Sequence, residues 1–283
     1  MILIFGAAGD LGRRVTQALL QHVPANQLRL ASRQPERLDH SGAETVYADF
    51  GAPESLATAM QGVSKVLLIS GDAPNDVRLG QHLAVIQAAK SAGIEQLVYT
   101  SFQLANLDSA FDFARSHGAT EAAIRLSGVP FTLVRNGLYA ELTLMGLEQA
   151  LQKGERFNAS GSGRFAPVLK DDLAEALAKV LTEPGHVGQT YTLQGPELFS
   201  QAGISALIAD ISGKALRTVD ISPEAQQQAL LAMGLPEFLA RALAGNSRAI
   251  ADGEYLNAEN HLPALLGRTP GKLETLLRQA LSH

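Results

Sequence analysis

The sequence predicts an α/β fold, with a doubly wound parallel sheet and a smaller, mostly helical C-terminal part. Three features of the first half carry this prediction. Short apolar runs recur, helix-like stretches separate them, and a glycine-rich turn joins the first run to the first helix. Runs that are apolar at nearly every position are typical of strands buried on both faces, which occur in parallel sheets covered by helices.

Strands and helices are predicted to alternate along the first half of the chain. The strands are expected at residues 2–5, 28–31, 45–48, 66–69, 97–100 and 131–134. The helices are expected at residues 11–22, 53–60, 77–92 and 114–127. This alternation predicts the strand–helix–strand crossovers of a doubly wound sheet. The segment between residues 30 and 45 is short and polar, so we expect at most one turn there, around residues 35–38.

The pattern changes after Arg135. We expect a helix at 137–153, a glycine- and serine-rich loop at 154–163, a helix at 169–182, a short strand at 190–193 and mostly helices over 201–283. Asp171 and Asp172 fall in the first turn of a predicted helix, where the helix dipole stabilises acidic side chains. We expect two domains, 1–150 and 151–283, with chain crossings between them. The second would fold over the strand ends, where such sheets bind ligands.

Composition and charge exclude several classes of protein. The 283 residues are 46% hydrophobic and 18% charged, which is ample for a buried core. A net charge of −5 leaves no basic footprint for nucleic acid. The chain has no cysteine and its histidines show no metal-ligand spacing, so we expect neither disulfides nor a metal. No apolar run approaches the ~20 residues of a membrane span, and the start lacks the basic flank of a signal peptide, so we expect a cytoplasmic protein.

The turn after the first predicted strand has the sequence Gly6-Ala7-Ala8-Gly9-Asp10-Leu11-Gly12. Glycine at such a turn lets the backbone approach a pyrophosphate without a Cβ clash. Gly9 or Asp10 would cap the helix, and Gly12 would let the helix pack closely on the strand. The spacing is G-x-x-G-x-x-G rather than G-x-G-x-x-G, and an ordinary glycine turn is the alternative. Its place in the first strand–helix–strand unit favours a Rossmann-like, NAD(P)-binding domain over residues 1–150.

The end of the second predicted strand indicates which cofactor is preferred. Folds selective for NAD usually carry Asp or Glu there to bind the ribose 2′-hydroxyl, whereas this chain has Ser32 and Arg33. A guanidinium suits a 2′-phosphate because it can donate two charge-assisted hydrogen bonds. We therefore expect NADPH, with a solvated arginine as the alternative. Asp49 would accept a hydrogen bond from the adenine amino group or would be an ordinary loop aspartate.

Several motifs carry a family resemblance through their order and spacing. Besides the glycine turn and Arg33 they are Ala48-Asp49-Phe50, Val66-Leu67-Leu68-Ile69-Ser70-Gly71, Tyr99-Thr100-Ser101, His117-Gly118-Ala119-Thr120-Glu121, Pro130-Phe131-Thr132-Leu133-Val134-Arg135-Asn136-Gly137-Leu138-Tyr139, Glu183-Pro184-Gly185-His186 and Gly234-Leu235-Pro236. With them the chain resembles the NmrA-like group of atypical short-chain dehydrogenases/reductases, and within it the bacterial NAD(P)H:quinone oxidoreductases and triphenylmethane reductases. The resemblance spans nearly the full chain. Ala8 departs from it, because the group usually has threonine there, and the loop lacks that hydroxyl.

The resemblance implies that the nicotinamide lies between the ends of the fourth and fifth strands. Four residues would then lie near the ribose and the ring, namely Ser70, Gly71, Thr100 and Ser101. Phe102, Asn136 and Tyr139 would line the substrate side. His117 would occupy the place where the related isoflavone-reductase-like enzymes keep a catalytic lysine.

The residue pair that ordinary short-chain dehydrogenases use for proton transfer is absent. Those enzymes place a lysine four residues after a tyrosine, where it lowers the tyrosine pKa. None of the five tyrosines of this chain has a lysine at that spacing. A quinone fits this absence, because hydride addition gives a phenolate-type oxygen that water or a weak acid can protonate. Catalysis would then depend mostly on the proximity and orientation of two rings.

His117 is the candidate catalytic proton donor, since an unperturbed histidine has a pKa near ~6.5. The alternative is an ordinary histidine on a helix surface. Glu121 lies one helical turn later, so it would share the same face and orient the imidazole. Tyr139 would form a wall for a flat substrate or would simply pack in the core.

Together these observations predict an NADPH-dependent reductase that passes a hydride to a quinone or a similar flat electrophile. This hypothesis needs no flavin and no metal, and it includes neither nucleic acid nor a membrane as partner. The alternative is an NmrA-type redox sensor that binds NAD(P) without turnover, because the missing tyrosine–lysine pair is compatible with both. The protein is expected to be a monomer or a homodimer.

Overall fold

The computed structural model of the protein describes residues 1–38, 42–256 and 259–282, and these ranges contain its strands. In chain order they are β1 (Ile2–Phe5), β2 (Leu28–Ser32), β3 (Glu44–Tyr47), β4 (Lys65–Ile69), β5 (Gln96–Phe102), β6 (Phe131–Asn136), β7 (Glu155–Asn158), β8 (Arg164–Phe165), β9 (Thr190–Leu193), β10 (Phe199–Ser200) and β11 (Arg217–Asp220). Seven of them form one parallel sheet in the order β3-β2-β1-β4-β5-β6-β9. The predicted fold class is confirmed.

The helices alternate with the sheet strands and then dominate the last third of the chain. They are α1 (Asp10–Leu19), α2 (Pro53–Ala59), α3 (Asn75–Ala92), α4 (Asp112–Ser127), α5 (Leu147–Lys153), α6 (Lys170–Thr182), α7 (Gln201–Ser212), α8 (Pro223–Ala232), α9 (Glu237–Ala251), α10 (Leu262–Leu266) and α11 (Leu273–Leu281). The strands and helices predicted for the first half are confirmed to within a few residues at each end. The predicted turn near residue 35 is a short 3-10 helix, Pro35–Arg37.

The order of the strands reverses beside β1. Ile2 of β1 pairs with Leu28 of β2 on one side and with Lys65 of β4 on the other. The first three strands therefore proceed towards one edge of the sheet and the next ones towards the other edge. In sheets of this kind the reversal opens a crevice at the carboxyl ends of the central strands, and ligands bind there.

Helices cover both faces of the sheet because both faces are apolar. On one face, Val15 and Leu19 of α1 share a buried cluster with Leu173 and Leu177 of α6. On the other face, α2, α3 and α4 bury a second cluster against the strands. A third cluster joins the end of β5 to the C-terminal helices, and its members include Phe102, Phe111, Ile204, Ile250 and Tyr255. Within the described ranges, no helix is both long and apolar enough to cross a membrane.

The sheet is completed by residues that lie beyond position 150. The short strand predicted at residues 190–193 is confirmed as β9, and it pairs with β6 as the seventh strand. Helix α6 also lies beyond residue 150 and packs on α1. The chain thus returns to the sheet late, and the division into domains 1–150 and 151–283 stays a prediction.

Two predictions for the middle of the chain are wrong. The continuous helix expected at 137–153 is instead a 3-10 helix, Ala140–Leu144, followed by α5. Gly146 separates them with a φ of +66°, a left-handed conformation that an α-helix does not contain. The loop expected at 154–163 contains β7, which pairs in parallel with β11. Both strands are short and partly exposed, so they lack the apolar runs that predicted the central strands.

Replacing Gly12 with alanine tests the close packing of α1 on the glycine turn. A Cβ at this position would lie 2.1 Å from the carbonyl oxygen of Gly6 and 2.8 Å from the Cα of Ala7. Because both neighbours are backbone, we expect Gly12→Ala to lower the free energy of unfolding by about 1–3 kcal/mol in urea denaturation.

The matched control is Gly80→Ala in the middle of α3, where an added Cβ meets no atom within 4 Å. This change should leave stability unaltered or raise it by up to ~1 kcal/mol, since alanine is the better helix former. Equal losses in the two variants would contradict the packing constraint at Gly12.

Candidate active site

Two adjacent cavities lie at the carboxyl ends of the sheet strands. The first has a volume of about 280 Å³ and lies beyond β1, β2 and β3. The second has a volume of about 260 Å³ and lies beyond β4, β5 and β6. Gly71 and Asp72, which follow β4, line both cavities. The two cavities therefore adjoin at the reversal of strand order.

The glycine turn forms one wall of the first cavity through Gly6 and Ala8. Gly6 has a φ of +84°, which L side chains rarely adopt. Gly9 is the N-cap of α1, and its N–H donates to the carbonyl oxygen of Gly6 at 3.0 Å. No side chain caps this helix. A helix N-terminus without a side-chain cap keeps N–H donors that suit a phosphate.

Asp10 is bound by two cations rather than acting as a cap. Its carboxylate accepts a hydrogen bond from Nζ of Lys170 at 2.8 Å and from Nε of Arg14 at 3.1 Å. The bond from Lys170 is the main reason that the pKa of Asp10 lies below its ordinary value. Arg14 also pairs with Asp171. These ion pairs join α1 to the start of α6.

Four residues of the glycine motif that were predicted to bind the cofactor do not line the first cavity, namely Gly9, Asp10, Leu11 and Gly12. Leu11 is buried in the cluster between α1 and α6. Gly12 provides the close approach of α1 to the turn, as the sequence predicts.

Arg33 and Asp49 lie on the opposite side of the first cavity, after β2 and β3. Arg33 is exposed and forms no ion pair or hydrogen bond with the described residues. Oδ1 of Asp49 accepts a hydrogen bond from the N–H of Gly51 at 2.9 Å, which fixes the carboxylate in its own loop. Ser32 also lines the cavity, and its Oγ accepts from the N–H of Gln34.

The structure brings together in the second cavity all the residues predicted for the nicotinamide and substrate sides. They are Ser70, Gly71, Thr100, Ser101, Phe102, His117, Asn136 and Tyr139. Phe111, Phe113, Leu239 and Leu243 add an apolar wall, the last two from α9. A cavity with apolar walls and a few polar groups is typical of sites for small, flat molecules.

Two polar side chains in this wall are buried without partners. Asn136 is 2% exposed, and neither its amide nitrogen nor its amide oxygen has a hydrogen-bond partner among the described residues. The Oγ atom of Ser70 is likewise buried without a partner. Leaving such groups unpaired costs about 1–3 kcal/mol each, so these atoms are available to hydrogen-bond a ligand in the cavity.

His117 is held in place by Tyr99. The hydroxyl of Tyr99 lies 2.7 Å from Nδ1 of His117 and 3.5 Å from Nδ1 of His82. Thr120 donates its hydroxyl proton to the carbonyl oxygen of Ser116, so it accepts from Nδ1 of His82 at 2.9 Å. With a proton on that nitrogen, His117 Nδ1 is the acceptor for the Tyr99 hydroxyl. This pattern assigns the remaining proton of His117 to Nε2.

Burial keeps both histidines neutral. It lowers the pKa of His82 to about 3 and the pKa of His117 well below its ordinary value, and the charge of Arg78 acts in the same direction. Burial also raises the pKa of Tyr99. The proton-donor hypothesis assumed an unperturbed pKa, whereas a neutral His117 has a hydrogen-bond donor and no imidazolium proton to give at neutral pH.

The predicted orientation of His117 by Glu121 is wrong. Both oxygens of the Glu121 carboxylate accept hydrogen bonds from Arg135, at 2.8 and 2.7 Å, and one of them also accepts from Oγ of Ser101 at 2.6 Å. A bidentate arginine–carboxylate pair is stronger than a contact with a neutral imidazole. Glu121 therefore fixes Ser101, and Tyr99 takes the role that was expected of Glu121.

Sequence reasoning missed Arg78, Tyr99 and Asp72. The signal for Arg78 was present, because residues 78, 82, 85, 86 and 89 form one helical stripe, and all five are buried in α3. Polar residues that continue an apolar stripe are candidates for a buried site. Nothing local in the sequence distinguishes Tyr99 from a core residue of β5.

A doubly wound parallel sheet, with a glycine turn before its first helix and a cavity at the strand reversal, is the architecture of dinucleotide-binding proteins. The family model described as NAD(P)H-binding matches residues 6–184. The chain belongs to this family.

Similar proteins match along almost the whole chain. The chain is 35% identical over 286 residues to quinone oxidoreductase 2 of Escherichia coli (strain K12), covering 100% of this chain and 98% of that protein. A crystal structure of the NADPH-dependent quinone oxidoreductase from Escherichia coli complexed with NADPH has a TM-score of 0.93, with 35% identity over 99% of both chains.

Two further relatives are an azoreductase and a triphenylmethane reductase by name. The NAD(P)H azoreductase of Xenophilus azovorans is 31% identical over 270 residues, covering 95% of this chain and 93% of that protein. The triphenylmethane reductase of Citrobacter sp. in complex with NADP(H) has a TM-score of 0.92 at 35% identity, covering 99% of this chain and 100% of that chain. The resemblance to bacterial quinone oxidoreductases and triphenylmethane reductases is confirmed.

The neutral histidines predict that the protein loses stability in mild acid. In the unfolded chain both would titrate near ~6.5, whereas in the folded protein their pKa values lie far lower. The unfolded state therefore binds more protons as the pH falls below about 7, and the free energy of unfolding decreases. Each histidine should contribute a loss of about 2 kcal/mol between pH 7 and pH 5.

Urea denaturation over this pH range checks the prediction. His82→Gln should remove about half of the pH dependence that the two histidines cause, and the exposed His22→Gln should remove none. An unchanged dependence in His82→Gln would show that His82 is not buried in its neutral form.

Proposed function

We propose that the protein is an NADPH-dependent reductase that transfers a hydride to a quinone or a similar flat electrophile. The observation that carries this proposal is the pair of adjoining cavities, one against a glycine turn and one walled by aromatic and aliphatic side chains. The family is NAD(P)H-binding. The named relatives reduce quinones, azo compounds or triphenylmethane dyes, which are flat or conjugated molecules.

The residues present fit a bound dinucleotide. Gly6 and the N-terminus of α1 offer a pyrophosphate site that no side chain obstructs. The guanidinium of Arg33, which pairs with none of the described residues, suits the 2′-phosphate and favours NADPH over NADH. At the other end of the site, Ser70 and Asn136 hold buried polar atoms for which the described part of the chain shows no hydrogen-bond partner. When bound, NADPH supplies the hydride, so the proposal requires no flavin.

The chain's own residues would bind, orient and desolvate the acceptor. Phe102, Phe111 and Phe113 form apolar walls of the second cavity, against which a flat acceptor would displace water. Tyr139 lines the same cavity, and Nζ of Lys170 lies 5.1 Å from the centre of its ring, within the range of a cation–π contact. Holding two rings in contact in a dry cavity supplies much of the rate enhancement for hydride transfer.

His117 would stabilise the oxygen on which negative charge develops. With Tyr99 donating to Nδ1, the Nε2–H group is the donor that remains for a ligand. Hydrogen bonds from preorganised donors strengthen as the charge on the acceptor oxygen grows. Final protonation of the phenolate-type product can then come from water, so no tyrosine–lysine pair is needed.

Cofactor oxidation with a quinone tests the proposed function. Purified protein mixed with NADPH and 1,4-benzoquinone or 1,4-naphthoquinone should consume NADPH, followed by its absorbance, faster than the mixture without protein. His117→Ala should lower kcat by about 10–100-fold through loss of one preorganised donor. His22→Ala removes an exposed histidine elsewhere and should leave kcat unchanged. Binding of NADP(H) without consumption of any quinone would overturn the proposal and favour a redox sensor.

Arg33→Ala tests the cofactor preference. Loss of the charge-assisted hydrogen bonds to a 2′-phosphate should weaken NADPH binding by about 1–3 kcal/mol and leave NADH binding almost unchanged. Titration calorimetry measures both affinities. Arg37→Ala, at an exposed arginine that does not line the cavity, is the matched control and should leave both affinities unchanged. Equal losses for NADPH and NADH in Arg33→Ala would mean that Arg33 has no role in the preference.

A further inference from the structure

Arg78 is a buried charge that has no ion-pair partner among the described residues. It lies in the first turns of α3, lines the second cavity and is 2% exposed. Its Nε atom is buried without a partner, and the terminal nitrogens form no hydrogen bond with the described residues. Burying a charge without a partner costs several kcal/mol. Such an arrangement is typical of a site that a ligand completes.

Phe113 supports the flat face of the guanidinium and leaves its edge free. The guanidinium carbon lies 3.7 Å from the centre of the Phe113 ring. This stacking is favourable and fixes the plane of the guanidinium, but it uses none of its N–H groups. The N–H donors lie in that plane, where they can bind two oxygens of one carboxylate or sulfonate.

The other titratable groups of the cavity do not neutralise Arg78. His117 is neutral, and burial raises the pKa of Tyr139, so it is neutral as well. Asp72 lies at the junction of the two cavities and is exposed to solvent; its charge raises the pKa of Arg78 against the larger effect of burial, but the described residues show no ion pair between the two side chains. Burial lowers the pKa of Arg78, but an arginine stays protonated at neutral pH. The buried part of the cavity therefore carries one positive charge.

We propose that Arg78 is a binding site for an anionic substituent of the acceptor, so that the second cavity selects flat molecules carrying a carboxylate or sulfonate and disfavours cationic ones. This inference rests on the proposed function for its substrate class, but its central claim concerns binding alone. The dinucleotide phosphates do not account for Arg78, because it lines the second cavity and not the cavity beside the glycine turn.

Three aromatic probes of one size separate charge from shape in a binding experiment. They are naphthalene-2-sulfonate, the neutral 2-naphthol and the cationic 2-naphthyltrimethylammonium ion. Titration calorimetry in the presence of NADP⁺ measures their affinity for the wild type and for Arg78→Met, which keeps an unbranched side chain against Phe113. We expect Arg78→Met to weaken sulfonate binding by about 10–100-fold, leave 2-naphthol within about threefold and strengthen binding of the cation.

Two further variants control for geometry and for folding. Arg78→Lys keeps the charge without the planar fork and should retain part of the sulfonate affinity. Arg217→Met makes the same type of replacement at an exposed arginine outside both cavities and should change none of the three affinities. Thermal unfolding and NADPH affinity verify that each variant is folded. If Arg78→Met does not fold, Arg78→Gln takes its place. Weaker sulfonate binding in Arg78→Gln than in Arg78→Lys then supports the anion site, and equal binding overturns it.

The outcomes distinguish this inference from the proposed function. Equal losses for all three probes in Arg78→Met, or no loss for the sulfonate, would overturn the anion site. Parallel assays compare NADPH consumption with a neutral naphthoquinone and with its ring carboxylate. Arg78-dependent sulfonate binding without reduction of any quinone would overturn only the proposed function. Reduction of both quinones without an effect of Arg78 on their ratio would overturn only the anion site.

Discussion

The whole site is organised around the approach of one helix to the turn before it. At Gly12 the backbone of α1 comes so near the carbonyl of Gly6 that a single additional carbon atom would overlap it. This contact puts the start of α1 at the end of β1, beside the reversal of strand order. The first cavity lies against this turn, and it adjoins the second cavity at Gly71. A wider separation would move the N-terminus of α1 away from the strands that carry the other residues of the candidate site.

Burial determines the electrostatic character of the second cavity. The same low-polarity surroundings that would exclude water from a flat acceptor also keep His82 and His117 neutral. Neutral imidazole is a poor acid but a usable hydrogen-bond donor, and Tyr99 determines which of its nitrogens carries the proton. Arg78 stays charged in these surroundings, because its guanidinium loses its proton much less readily than an imidazolium. The cavity therefore combines neutral donors with one fixed positive charge.

The part of the site that lies on strand ends was predictable, and the part that depends on contacts between helices was not. Ser70, Thr100, Ser101 and Asn136 follow apolar runs, and the carboxyl ends of parallel strands meet at one edge of a sheet. Glu121 shows the limit, because its spacing from His117 was correct for one helix face, but Arg135 of β6 competes for it.

Tyr99 shows a second limit. Its partners come from α3 and α4, whose relative position is set by packing on the sheet and not by any local pattern. The short strands β7 and β11 were missed for a similar reason, since each is stabilised by the other and not by an apolar face of its own.

The late return of the chain to the sheet has a consequence for synthesis on the ribosome. Helix α6 packs on α1, and β9 pairs with the edge of β6. Both α6 and β9 come many residues later in the chain than the elements they cover. Until residue 193 has left the exit tunnel, the nascent chain presents an uncovered apolar face at Val15 and Leu19 together with an open strand edge. Exposed edges and apolar faces of this kind recruit chaperones or other unfinished chains. The last strand of the central sheet is therefore synthesised only after about two thirds of the chain has been made.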